Sequence, residues 1–105
     1  MQNFWNKNSE SQYISLKCLR KVIENDCRYG NYESWHEELK TEDGLKVTVK
    51  KISYFNNVIA IINNEKCYCE LHYCGYRGYR STERAINDLK RYYSSNGYYI
   101  NVEDW

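Results

Sequence analysis

Asn56-Asn57-Val58-Ile59-Ala60-Ile61-Ile62-Asn63-Asn64 is the stretch that decides how this chain folds. Four β-branched residues and an alanine stand between two asparagine pairs. β-Branched side chains are stiff at χ1 and favour extended backbone. Asparagine tolerates positive φ and so marks turns. A continuous apolar run of this length predicts a central strand buried on both faces. Upstream, Leu45, Val47 and Val49 alternate with lysine and threonine, the pattern of a half-buried strand. Downstream, a third strand is expected from about Lys66 to Tyr73. Short turns between the three make an antiparallel meander.

Helices flank the meander. Ser9-Glu10-Ser11-Gln12 is a capping box, and behind it Leu16, Leu19, Ile23 and Cys27 recur at helical spacing up to Gly30. This predicts a helix from about residue 10 to 28. Ser34 is a candidate cap for a short helix carrying Trp35, His36 and Leu39, ending before Gly44. Ser81 or Thr82 caps a second main helix with Ala85, Ile86, Leu89, Tyr92 and Tyr93 on one face, and Asn96-Gly97 stops it. Ile100 and Val102 suggest an added edge strand. The expected fold is α+β: a single domain over residues 1–105, with an antiparallel three- to four-stranded sheet and both main helices packed on one face.

Cys67-Tyr68-Cys69-Glu70-Leu71-His72-Tyr73-Cys74 concentrates three of the five cysteines and one of the two histidines. Thiolate and imidazole are the ligands zinc prefers, so Cys67, Cys69, His72 and Cys74 form a candidate structural zinc site. In a straight strand Cys67, Cys69 and Leu71 point one way, while Tyr68, Glu70 and His72 point the other. One ion can take all four only if the chain turns after Cys69. A second ligand set combines Cys67 and Cys69 with Cys27 and His36. The alternative is that these cysteines are small core residues. An odd cysteine number fits a disulfide framework poorly.

Tyr76-Arg77-Gly78-Tyr79-Arg80, followed by Arg84, interleaves rings and guanidinium groups. Tyrosine and arginine are the residues most often found at the energetic centres of protein interfaces. The same chemistry stacks on bases and pairs with phosphates. A solvated loop is the third reading. The acidic stretch Glu33, Glu37, Glu38, Glu42 and Asp43 either mimics a phosphate backbone or forms a solvated helix face.

Twelve tyrosines in 105 residues supply rings that keep a hydroxyl in need of a partner, which suits half-buried and interface positions. A net charge of +1 argues against a generic nucleic-acid coat. No apolar run is long enough to span a bilayer and no secretory h-region follows Met1, so a cytoplasmic protein is expected. Phosphate loops, nucleophile elbows, dinucleotide fingerprints and zinc-hydrolase motifs are absent, and the chain reads as a non-enzyme.

A proline-free domain rich in Tyr and Asn, with the Val58-Ile59-Ala60-Ile61-Ile62 strand and a helix beginning Ser81-Thr82-Glu83-Arg84-Ala85, resembles the small anti-CRISPR proteins of phages and mobile elements that inhibit type II effector nucleases. Those proteins share no signature, so no functional residue is carried over. The resemblance implies a stoichiometric inhibitor that blocks a CRISPR effector nuclease by steric occupation in a bacterial cytoplasm. A zinc site would depart from most of that group. The expected contacts are Tyr76, Arg77, Tyr79, Arg80 and Arg84. A small nucleic-acid-binding protein using the same loop is the alternative.

Overall fold

A computed structural model describes residues 17–103 of the chain. The Ser9–Gln12 capping box and Leu16 lie outside the described residues. Within them, helix α1 covers residues 17–24. It is followed by β1 (Arg28–Tyr29), β2 (Tyr32–Lys40), β3 (Lys46–Tyr54), β4 (Asn57–Asn63), β5 (Tyr68–His72), α2 (Arg80–Ser95) and β6 (Tyr99–Glu103). The six strands form one sheet in the order β1-β2-β3-β4-β5-β6. Four neighbouring pairs are antiparallel, and β5–β6 is parallel. The fold is α+β as expected, but the three- to four-stranded antiparallel sheet is overturned by this six-stranded mixed one.

Besides β1, which pairs Arg28 and Tyr29 with Glu33 and Tyr32 where the first helix was expected to reach residue 28, two local readings account for the difference. Residues 32–40 do not form the short helix expected after Ser34. They pair with β3 along their whole length, from Tyr32 opposite Tyr54 to Lys40 opposite Lys46. Tyr32 and Ser34 are buried while Glu33 is exposed, a period of two that the exposed Glu38–Lys40 end conceals. Ser34 still caps backbone: its hydroxyl donates to the Asn25 carbonyl at 2.8 Å and accepts from Cys27 N–H at 3.3 Å, steadying the exit of α1. The second difference is β6. Helix α2 carries the chain back along β5, so the next strand must start at the same end and run parallel to it. Tyr99 N–H fixes that start by donating to the Cys67 carbonyl at 2.9 Å.

The register aligns inward positions across the sheet. Ser34, Ile52, Ala60, Leu71 and Val102 form one row, and Lys50, Ile62, Cys69 and Ile100 the next. Leu19, Val22 and Ile23 of α1 and Ala85, Ile86, Leu89 and Tyr93 of α2 close over this face in one core. The guanidinium of Arg20 lies 4.9 Å from the Tyr92 ring and links the two helices. Strand β4 is not buried on both faces, because Val58 and Ile61 are half-exposed. The uninterrupted apolar run instead reflects a bulge. Pairing shifts between Ile52 and Ser53, leaving Ile59 as the extra residue, and both Ile59 and Ala60 are buried.

Strand β3 holds a further correction. Val49 is buried outside the main core, and the inward position belongs to Lys50. Its ammonium donates to the Ile23 carbonyl at 2.8 Å and pairs with Asp26 at 3.1 Å, while Asp26 also pairs with His36. A cation on a last-turn carbonyl satisfies an orphan acceptor and opposes the helix dipole. Lys50→Met keeps the packing but strands the carbonyl, and is expected to cost about 1–3 kcal/mol in urea unfolding. Unchanged stability would contradict this role.

Burial alone would raise the Asp26 pKa, but hydrogen bonds with His36 and Lys50 outweigh it and hold the carboxyl below its usual 3.8. A depressed carboxylate stabilises the fold above its unfolded pKa and loses that effect as pH falls through the folded value. Melting temperature should therefore fall more steeply for the native chain than for Asp26→Asn as pH drops below about 4. Parallel curves would contradict the assignment.

Candidate functional site

The β3–β4 turn is a two-residue loop, Phe55-Asn56, closed by Tyr54 opposite Asn57. Both loop residues have positive φ, 49° and 67°. Hairpin loops of this length require that geometry, and asparagine accepts it. Phenylalanine does not do so readily, at a cost of roughly 1–2 kcal/mol. Its ring gains little by burial, for it is 58% exposed and meets Tyr54 edge-on at 4.6 Å. The turn is nonetheless firmly held. Phe55 N–H donates to the Asn31 carbonyl at 2.9 Å, and Tyr54 stacks on Tyr32 at 4.7 Å. A bulky residue kept in a costly conformation to display its ring points to function.

The loop from Tyr73 to Tyr79 stands opposite. Cys74 also has positive φ, 54°, and its thiol donates to the Val58 carbonyl at 3.1 Å, tying the loop to β4. Two successive turns follow, Tyr76 N–H to the Tyr73 carbonyl and Tyr79 N–H to the Tyr76 carbonyl. Gly75 and Gly78, at φ 83° and 96°, permit them. Tyr76 and Tyr79 meet edge-to-face at 5.4 Å, and the Arg77 guanidinium lies 5.5 Å from the Tyr73 ring.

Between the two walls lies a pocket of about 280 Å³. Tyr54, Phe55, Tyr73, Tyr76 and Tyr79 supply its aromatic lining, and Asn57, Ser81 and Thr82 its polar side chains. Ile59 and Thr82 are its most deeply buried members, at 1% and 6% exposure. Neither Ser81 nor Thr82 is a helix cap: the N-cap of α2 is Tyr79, with no side-chain cap bond. Among the described residues no buried side-chain nitrogen or oxygen lacks a hydrogen-bond partner. Among those residues, three of the four non-glycine positions at positive φ (Phe55, Asn56 and Cys74) belong to these walls.

The expected contact residues divide. Tyr76 and Tyr79 line the pocket, Arg77 covers Tyr73, and exposed Arg80 opens α2 beside them. Arg84 is half-buried one turn along and acts on the charge of Asp88 instead. Tyr54, Phe55 and Thr82 were not anticipated. The available signal was the aromatic residue directly before the asparagine pair, hidden because Asn56-Asn57 reads as the whole turn.

The candidate zinc ligands do not converge. Cys69 is sealed in the core, where burial, aided by the charge of Glu70, pushes its thiol up to about 12, far from the thiolate a metal needs. His72 lies on the other face of β5 with its Nε2 2.7 Å from Glu70 Oε1. Cys67 is exposed at φ 51°, before the strand begins. In the second ligand set, Cys27 turns its thiol to the Lys21 carbonyl and His36 pairs with Asp26. Among the described residues no group of three or more His, Cys, Asp or Glu side chains is placed to hold a metal ion. A strong chelator is expected to leave the melting temperature unchanged; one zinc per chain and a large fall on chelation would contradict this.

The acidic stretch is not a continuous surface either. Glu37 binds Lys51 at 2.7 Å and accepts from the Trp35 indole at 3.3 Å, whereas Glu38 points with Lys46 at 3.5 Å. Glu42 and Asp43 sit in the exposed β2–β3 turn. No described helix is long and apolar enough to cross a membrane. Comparison with family models, curated proteins and solved structures finds no match to this chain.

Proposed function

We propose that this chain is a protein-binding module that acts by covering a functional surface of a larger partner. Phe55, Tyr76 and Tyr79 are its docking residues. The observation that carries this reading is their clustering around one pocket while 58%, 43% and 63% exposed. Of the other large exposed apolar side chains among the described residues, Tyr29, Leu39, Leu45 and Tyr99, none lines this pocket. Tyrosine presents a large amphipathic ring at low entropic cost, and both walls are pinned by backbone hydrogen bonds before any partner arrives.

The partner implied by the sequence resemblance is a type II CRISPR effector nuclease, met in a bacterial cytoplasm. Titrating the chain into a target-cleavage reaction tests it. The expected result is complete inhibition near one chain per nuclease; undiminished cleavage would remove that partner. Arg77 and Arg80 beside the rings also suit a single-stranded nucleic acid. That reading requires binding that collapses between about 50 and 200 mM salt. The protein-docking reading predicts no oligonucleotide retardation even at low salt.

A further inference from the structure

We propose that the open edge of β6 is an interface through which two copies of this chain pair, strand against strand about a two-fold axis at Asn101. The surface lies apart from the docking pocket, none of whose lining residues belongs to β6. Strand β6 ends the sheet, and no described strand lies beyond it. Tyr99 N–H donates to the Cys67 carbonyl at 2.9 Å, so the main-chain groups of Tyr99, Asn101 and Glu103 face β5. Those of Ile100 and Val102 alternate with them and point out of the sheet. The two edges of the sheet differ in protection. β1 is two residues long, and the length of β2 that extends past it carries Glu37, Glu38 and Lys40. Very short strands and charged side chains keep an edge from pairing. β6 has neither proline nor lysine, and its register against β5 is unbroken.

An open edge accepts many strands, and the side chains select this one. Antiparallel pairing centred on Asn101 sets Ile100 opposite Val102 of the second copy. Each offers the outward N–H and C=O that such a pair exchanges. Both residues are half-buried at the rim of the core, so the two apolar rims close on each other. Tyr99, 69% exposed and stacked on Tyr68 at 5.8 Å, falls opposite Glu103 of the second copy. Carboxylate therefore meets phenol, and the like-charge pair that would repel does not form. At the axis the two Asn101 side chains stand face to face. One amide N–H already donates to Glu103 of its own chain at 3.2 Å, leaving the second N–H and the oxygen for the amide of the other copy. Every position of the strand meets a partner it suits, as a self-complementary two-fold interface requires.

Sedimentation equilibrium of the full chain tests this. The native chain is expected to dimerise with a dissociation constant of about 0.1 mM, weak because so short an edge buries less than a standard interface. Val102→Pro removes an outward N–H while sparing the ladder to β5, and should abolish the dimer. Asn101→Asp and Asn101→Lys each set like charges against each other at the axis and should dimerise about fivefold more weakly. Mixed in equal amounts, the two should pair more tightly than the native chain. Thermal melts verify that each variant is folded, and the charge pair carries the test if the proline variant unfolds. A native chain still monomeric at about 1 mM would overturn the proposal. So would charge variants that self-associate as tightly as the native chain, or a mixture of them that stays monomeric. Tyr79→Ala should leave the dimer intact; its loss there would move the contact to the aromatic pocket and overturn the assignment to β6.

Discussion

Tyr79→Ala is expected to weaken partner binding by about thirtyfold, a loss of about 2 kcal/mol typical of a central aromatic anchor. The fold should hardly notice. Tyr79 is 63% exposed, and its N-cap role uses its backbone carbonyl, which accepts Glu83 N–H at 2.9 Å, with no side-chain cap bond to lose. What the substitution removes is one wall of the pocket and the edge-to-face contact with Tyr76. Isothermal titration against the partner, beside a thermal melt of the free variant, separates the two effects. Unchanged affinity would contradict the docking role; a collapsed melt would make Tyr79 a structural residue.

The largest stability effect is expected at Leu89→Ala. Leu89 has no exposure and sits with Ala85, Ile86 and Tyr93 on the face that α2 presses onto the sheet. Truncating a fully buried leucine loses the transfer free energy of the removed atoms and leaves a cavity, about 3 kcal/mol in total. For a domain of this size that corresponds to a fall in melting temperature of about 15 °C. Leu45→Ser is the control, because Leu45 is 65% exposed at the end of the β2–β3 hairpin and should shift stability by no more than about 0.5 kcal/mol. Loss of less than about 1 kcal/mol at Leu89 would mean that α2 is not the lid of the core.

How far the sequence could be read depended on whether one residue carried one signal. Helix α2 was legible because Ala85, Ile86, Leu89 and Tyr93 repeat at helical spacing and are buried together. Strand β4 was legible from its β-branched run, but the bulge at Ile59 was not, since an extra apolar residue inside an apolar run breaks no pattern. Lys50 misled the reading of β3. Its charge marks it as outward-facing, yet the free end of α1 offers a carbonyl and Asp26 a counter-charge. The parallel pairing of β6 depends on where α2 returns the chain, which no local pattern encodes. Within the site, Tyr76 and Tyr79 were visible as a motif, whereas Phe55 reaches it from a turn distant in sequence and Thr82 reads from sequence as a helix cap. The cysteine cluster showed the converse. Proximity in sequence suggested one site, whereas strand alternation puts Cys69 and His72 on opposite faces of β5.

Phe55→Asn tests the central claim most directly, because the account predicts effects of opposite sign. Asparagine accepts positive φ where phenylalanine is strained, so the variant should melt higher, gaining about 1 kcal/mol. It also deletes an exposed pocket wall, so affinity for the partner should fall about tenfold or more. A chain that becomes more stable and binds worse is the predicted result. A variant that binds its partner undiminished, whatever its melting temperature, would contradict the assignment of this aromatic pocket as the functional surface.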